Sequence, residues 1–130
     1  MKSCIVNGSG GRVSVRLTAT NLLAAGARFE VKNAQKQIVE TWDMQTGEDG
    51  SDEHTLSTGP SGLRNCFLQW RVNTCSMHAG SDQGTISVTV GQDAVHRPIV
   101  PPAVYDLSGI PTCKSGNATQ IDDSFDWVVS

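Results

Sequence analysis

Five carboxylates lie close together in the central stretch DMQTGEDGSDE, between Asp43 and Glu53. Calcium prefers several oxygen ligands from a short, flexible segment that contains glycine, and this stretch has two glycines. The stretch therefore predicts a calcium site, the only cofactor site that the sequence suggests. Its expected ligands are Glu48, Asp49, Asp52 and Glu53. The spacing differs from the EF-hand pattern, and the alternative is that these side chains are solvated turn residues.

A pair of the same carboxylates could also hydrolyse a glycosidic bond, provided that one pKa were raised and the other were not. Nothing in the surrounding sequence distinguishes two such environments. Serine, histidine and aspartate are all present, but the G-x-S-x-G pattern of a nucleophile elbow is not. The sequence therefore favours a protein without catalytic activity, and a small hydrolase is the weaker alternative.

Three of the seven aromatic residues are tryptophans, and two of them stand beside acids. Trp42 precedes the acidic stretch, and Trp127 follows Asp122, Asp123 and Asp126. An exposed indole face packs against the apolar face of a sugar ring, while nearby carboxylates bind hydroxyl groups. The predicted ligand-binding residues are Trp42, Asp43, Asp49, Asp52 and Trp127. The competing interpretation places each tryptophan in the core, as is usual in a small domain.

The cysteines stand at positions 4, 66, 75 and 113, without the close pairs that zinc sites use. If a strand runs from Cys66 to Val72, its ends lie about 20 Å apart. The three steps from Val72 to Cys75 span at most about 11 Å. A disulfide needs Cα atoms within roughly 7 Å, so the strand excludes a Cys66–Cys75 bond. The expected partners of these two cysteines are therefore Cys4 and Cys113, in either pairing, and all four are predicted to be structural.

Alternating apolar and polar residues indicate the elements that would position these groups. The runs RVSVRLT, ARFEVK and TISVTV alternate with a period of two and are rich in β-branched residues, which is typical of half-buried strands. QIVETW, CFLQWRV and FDWVV are further strand candidates. About seven short strands predict an antiparallel β-sandwich, Ig-like or jelly-roll-like, although the cysteine and tryptophan spacing of a true immunoglobulin domain is missing. A small closed β-barrel is the alternative.

The remaining segments are predicted to connect these strands within a single domain, residues 1–130. ATNLLAAGA is interpreted as a turn or a one-turn helix, and TGEDGSDE as a loop. Residues 96–111 hold four of the five prolines and are predicted to form an irregular segment, because proline cannot donate a ladder hydrogen bond.

Charge and hydropathy limit the class of partner and the compartment. A net charge of −3 with 18% charged residues argues against nucleic-acid binding, which usually needs a basic face. No apolar run approaches the roughly 18 residues of a membrane span, and the first residues do not resemble a signal peptide. The chain as written predicts a cytosolic protein, or a mature secreted domain if the cysteines are paired.

These observations together predict a soluble, lectin-like binding module that recognises a carbohydrate or a protein surface through loops at one end of the sandwich. The prediction rests partly on analogy with other sandwiches. Two alternatives stay open beside the hydrolase. One is a structural protein that assembles with copies of itself or with a partner chain through exposed strand edges. The other is a membrane-active β-sandwich, which would need an exposed apolar patch.

Overall fold

The computed structural model describes residues 1–79 and 82–130, and within them the chain forms eleven β-strands and two short 3₁₀ helices. The strands are β1 (Lys2–Val6), β2 (Val13–Ala19), β3 (Leu23–Lys32), β4 (Ile38–Thr46), β5 (Ser51–Thr55), β6 (Phe67–Ser76), β7 (Gly84–Gln92), β8 (Val95–Arg97), β9 (Ile99–Val100), β10 (Ala103–Leu107) and β11 (Thr119–Val129). The helices are Pro60–Leu63 and Cys113–Ser115, and neither is long or apolar enough to cross a membrane. The all-β prediction is confirmed, but the expected number of about seven strands is too low.

The strands form two sheets in a sandwich-like arrangement. The six-stranded sheet has the order β4-β3-β6-β11-β1-β9. The five-stranded sheet has the order β10-β7-β2-β5, with β8 also paired to β7. All of these pairs are antiparallel except β1 with β11, which are parallel. Within the described residues neither sheet closes on itself, so the closed-barrel alternative is wrong.

The core lies between the two sheets and follows from the alternation along the strands. In β6, Leu68, Trp70 and Val72 all face inward, as the strand interpretation of this segment predicts. Trp70 lies between Phe29 and Phe125, with ring centroids 5.9 and 5.8 Å away. Successive side chains of a strand point to opposite faces, so the residues between these buried positions lie on the outer face of the sheet.

The proline-rich segment carries the chain from one sheet to the other and back. After β8 the chain leaves the five-stranded sheet, and β9 pairs with β1 of the six-stranded sheet. The chain then returns, and β10 pairs with β7. Pro98 separates β8 from β9, while Pro101 and Pro102 separate β9 from β10. Residues 96–111 thus contain short strands at sheet edges as well as irregular backbone.

Two local predictions are only partly right, and both errors concern the ends of strands. ATNLLAAGA contains a turn at Asn21 and Leu22, as one of the two interpretations predicts, but no helix. β3 begins at Leu23, and its alternation of buried and half-buried residues runs through Ala25 and Gly26. TGEDGSDE is not one loop, because β4 continues to Thr46 and β5 begins at Ser51. Only residues 47–50 connect these two strands, so the acidic residues are divided between β4, a short turn and β5.

The cysteines form one disulfide and two buried thiols. Cys75 bonds to Cys113, with an S–S distance of 2.05 Å, so it does not pair with Cys66. Cys4 and Cys66 lie on either side of Trp127. Cys4 is the register partner of Trp127 in β1, and the Trp127 backbone N–H donates to the Cys66 carbonyl. Two strand spacings, about 10 Å, therefore separate these thiols and prevent a second bond. Burial raises the pKa of Cys4 to about 12 despite nearby Arg97, so this sulfur stays protonated.

Candidate functional site

The predicted calcium ligands do not converge on one point. Glu48 pairs with His78 at 3.2 Å, and Glu53 pairs with Arg16 at 2.8 Å. Asp49 accepts a hydrogen bond from the backbone N–H of Leu22 at 2.7 Å. Across residues 1–79 and 82–130, no group of three or more histidine, cysteine, aspartate or glutamate side chains is placed to hold a metal ion. The geometry therefore gives no support to calcium binding at Glu48, Asp49, Asp52 and Glu53.

The two tryptophans predicted to bind a sugar ring are buried instead. Trp42 is 9% exposed and lies between Phe29 and His54, with ring centroids 5.5 and 4.2 Å away. Trp127 is 4% exposed and packs edge-on against Phe125 at 4.6 Å. Neither indole presents a face to solvent, so neither can serve as a stacking platform in this structure. Successive side chains of a strand point to opposite faces, so each tryptophan faces the core while the neighbouring aspartate is exposed: Asp43 beside Trp42, and Asp126 beside Trp127.

An open groove of about 560 Å³ lies on the outer face of the six-stranded sheet. Its lining includes Gly26 and Arg28 of β3, Asn73 of β6, and two of the predicted ligand-binding residues, Asp43 and Asp52. A second depression of about 340 Å³ lies on the same face and is lined by side chains of β3, β6 and β11. Arg28 and Arg71 line both depressions, so we treat the two depressions as parts of one site. We call this site the outer groove.

A row of four charged side chains crosses the outer groove at right angles to the strands. In register across β4, β3, β6 and β11 stand Asp43, Arg28, Arg71 and Asp122. Arg28 donates to both carboxylate oxygens of Asp43, at 3.0 and 3.3 Å. Arg71 donates to both oxygens of Asp122, at 2.9 and 3.4 Å. Each end of the row is therefore a bidentate ion pair, and the two arginines stand side by side at its centre.

The carboxylates of this row are suited to binding and not to proton transfer. The hydrogen bond from Arg28 lowers the pKa of Asp43, and the hydrogen bond from Arg71 lowers the pKa of Asp122. A general acid needs a raised pKa in order to carry a proton at neutral pH. Both groups are ionised there, so they act as hydrogen-bond acceptors.

Amide side chains and one glycine complete the outer groove. Gln45 and Asn73 stand in register with Gly26 on either side of β3, and Gln69 stands in register with Glu30. A Cβ atom added at Gly26 would meet nothing within 4 Å, so neighbouring atoms do not require glycine there. Glycine inside a strand weakens it and often marks a place where a ligand approaches the backbone closely. The missing side chain leaves the floor of the groove open.

A second polar cluster, the Glu40 cluster, joins β4 to β5 and to the backbone that follows β5. Glu40 accepts hydrogen bonds from His54 Nε2, from the backbone N–H groups of Ser57 and Thr58, and from the Thr58 hydroxyl, at 2.8 to 2.9 Å. Burial alone would raise the pKa of Glu40, but these four bonds together lower it to about 2. The Thr58 hydroxyl donates to the carboxylate and not to His54, so the imidazole has no nucleophile to activate here.

Of the five predicted ligand-binding residues, Asp43 and Asp52 line the outer groove, and Trp42, Asp49 and Trp127 do not. The alternation in ARFEVK places Arg28 on the polar face of a strand, but no motif marks Arg28, Arg71, Gly26 or Asn73 as site residues. The signal that could reveal them is alternation along the strands, which places residues on one outer face. Residues 26, 28 and 30 of β3 and residues 69, 71 and 73 of β6 alternate with buried positions. The predicted site also differs in kind, since the outer groove is lined mainly by strands and not by loops at one end.

Comparisons with known proteins leave the family of this chain open. No protein-family model matches the chain, and no curated protein matches it in sequence. A crystal structure of a domain of unknown function, DUF4425 from Bacteroides vulgatus, is similar at 12% identity and a TM-score of 0.38. The match covers 88% of this chain and 93% of that domain. At this level of likeness it carries no functional argument.

Proposed function

We propose that this protein is a non-catalytic binding module whose ligand lies along the outer groove, parallel to β3 and β6. The observation that carries the proposal is Gly26, which stands in register between the amide side chains of Gln45 and Asn73 and is a glycine that neither crowding nor a left-handed backbone requires. It lies on the floor of the outer groove, among side chains that donate and accept hydrogen bonds. A strand gains stability from a side chain at such a position, so its absence supports a role in ligand approach.

The ligand class that suits this lining is a carbohydrate. Amides, carboxylates and guanidinium groups are planar and bind adjacent hydroxyl groups through paired hydrogen bonds. The centre of a protein–protein interface is usually depleted in charged residues and rich in aromatic ones. The outer groove has four charged residues across its middle. A polyhydroxylated chain fits these groups better than a protein surface does.

The proposal also accounts for the shape of the site. From Gly26 to Lys32 the groove follows six residue steps of β3, about 20 Å at 3.3 Å per residue. An extended chain lying along these strands would contact both depressions and would pass between Arg28 and Arg71. A single small molecule would occupy only one of the two depressions.

Replacing Gly26 with valine tests this function. The added side chain would fill the floor of the groove and weaken glycan binding at least tenfold, while the β-branched residue keeps or improves the stability of β3. Binding is measured on a glycan array and then by calorimetry with the glycans that bind. Thermal unfolding checks that the variant folds.

The matched control is Gly91→Val, on the outer face of the five-stranded sheet, where an added Cβ would meet only the Val95 carbonyl at 3.7 Å. We expect this variant to bind as the parent protein does. If no glycan binds the parent protein, or if Gly26→Val and Gly91→Val bind equally well, the outer groove is not a carbohydrate site.

A further inference from the structure

We infer that the ligand of the outer groove carries negatively charged groups, a carboxylate or a sulfate ester on a polysaccharide, and that one such group binds between Arg28 and Arg71. This inference rests on the proposed function and specifies its ligand class. It comes from three features of the central arginine pair: its register, its unused donors and its position between the two depressions.

The register brings two like charges together. Arg28 of β3 and Arg71 of β6 are direct cross-strand partners on the solvent face. Like charges in this relation destabilise a sheet. Local rules of this kind are usually broken at functional sites. Each aspartate already offsets the charge of its own arginine, and an anion bound between the two guanidinium groups would be attracted to both.

The side chains leave space and donors for that anion. β4, which carries Asp43, flanks β3, while β11, which carries Asp122, flanks β6 on the opposite side. Each arginine is therefore drawn towards its own aspartate and away from the other arginine. Both use Nε and Nη2 for the aspartate. A guanidinium group has five N–H donors, so three remain on each.

A bound anion would complete an alternating row of charges. The row now reads negative, positive, positive, negative, from Asp43 through Arg28 and Arg71 to Asp122. A carboxylate or sulfate at its centre makes every neighbouring pair opposite in sign. Planar, bidentate donors of this type are the groups that proteins use to recognise carboxylate and phosphate-like oxyanions.

Long-range attraction does not explain such binding, because the chain carries a net charge of −3. A polyanion would be held only where local geometry favours it. Arg16 provides the comparison, since it forms a similar ion pair with Glu53 at 2.8 Å on the outer face of the other sheet. Its neighbour on the opposite side is Thr89, so Arg16 has no arginine partner.

The test measures binding of three purified polysaccharides by calorimetry: a polyuronate, dextran sulfate and neutral dextran. The parent protein is compared with Arg28→Gln, Arg71→Gln and the matched control Arg16→Gln, after thermal unfolding has shown that each variant folds. We expect the polyuronate or dextran sulfate to bind at least tenfold more tightly than dextran. We expect Arg28→Gln and Arg71→Gln each to lower the affinity for the charged polysaccharide at least tenfold, and Arg16→Gln to have little effect.

The outcomes separate the two proposals. A difference between the polyuronate and dextran sulfate identifies which anion the pair accepts, and either result supports the inference. If the Gly26-dependent glycans are neutral and Arg28→Gln leaves their affinity unchanged, the inference is overturned while the outer groove remains a glycan site. If Arg16→Gln weakens polyanion binding as much as Arg28→Gln does, the attraction is nonspecific and the inference is also overturned. Failure of every glycan to bind would remove both.

Discussion

At the scale of single residues, a positive φ identifies positions where a side chain makes the backbone conformation less favourable. Seven residues other than glycine have a positive φ within the described chain. Five of them are asparagine, aspartate or lysine residues on exposed turns. Leu22, Lys36 and Ala94 have no short polar side chain that would ease the left-handed conformation, and of these three only Leu22 and Ala94 are apolar. Both are the second residue of a two-residue pair with positive φ.

The tight turn between β7 and β8 offers a direct test of this strain. Ala94 has a φ of 60° and is exposed. The left-handed conformation costs a residue with a Cβ about 1–2 kcal/mol. Glycine loses about 0.5–1 kcal/mol more conformational entropy on folding, which offsets part of the gain. We therefore expect Ala94→Gly to raise the free energy of unfolding by about 0.5–1 kcal/mol.

Urea denaturation measures this change, and Ala24→Gly is its control. Ala24 is half-buried in β3 and does not have a positive φ. The same substitution there should lower the free energy of unfolding by about 0.5–1 kcal/mol. A loss of stability in both variants would show that Ala94 is not strained.

At the scale of elements, the two sheets must be held together along the side where β4 and β5 are their edge strands. Glu40 of β4 does this by bonding to His54 of β5 and to the backbone that follows β5. Arg12 of the segment before β2 donates to the carbonyl of Ser57, in the same stretch of backbone. His54 of this cluster also stacks on Trp42, with ring centroids 4.2 Å apart.

The lowered pKa of Glu40 makes the stabilisation from the Glu40 cluster sensitive to acid. The pKa is about 2 in the folded protein against an ordinary value of 4.5, so the carboxylate stabilises the fold fully above pH 4.5. The contribution is lost as the pH falls towards 2, because the folded state must then be protonated. Because solvent screens part of these interactions, we expect the contribution to be on the order of 1–3 kcal/mol for a side chain that is 10% exposed.

We expect Glu40→Gln to be destabilised at pH 7 and to approach the stability of the parent protein as the pH falls to 2. Urea denaturation between pH 7 and pH 2 measures the difference. The control is Glu53→Gln, an exposed ion-pair residue of β5 whose removal should cost little at any pH. A difference for Glu40→Gln that stays constant over this range would contradict the role of the ionised carboxylate.

The same elements show how far the sequence alone could lead. β2 and β7 were predictable because their inner faces carry branched apolar residues at every second position. β5 was not, because both of its faces are polar and none of its residues is buried. The outer groove depends on register, since Arg28 and Arg71 are far apart in the chain and become neighbours only through the pairing of β3 with β6. A shift of one residue would send one of them into the core.

At the scale of the whole molecule, long-range connections tie the ends of the chain to its middle. β1 and β11, the first and last strands, are parallel neighbours, and β11 also pairs with β6. The Cys75–Cys113 disulfide joins the end of β6 to the segment that precedes β11. Beside it, the Ser76 backbone N–H donates to the Pro111 carbonyl at 2.8 Å. The bond therefore holds the connection that returns the chain to the groove-bearing sheet.

Loss of this disulfide should lower stability while leaving the outer groove intact. The cysteines are 38 positions apart, and in the chain-entropy description a cross-link of that span stabilises by about 4 kcal/mol. The groove itself is held by the ladders of β3 with β6 and of β6 with β11, which do not need the bond. We expect dithiothreitol to lower the urea midpoint of the parent protein. It should have no effect on a Cys75→Ala, Cys113→Ala variant, which already has the lower midpoint. Glycan affinity at low denaturant should be the same in both. If the variant folds but no longer binds, the bond positions the site as well as stabilising it, and the independence of the groove from this cross-link would be refuted.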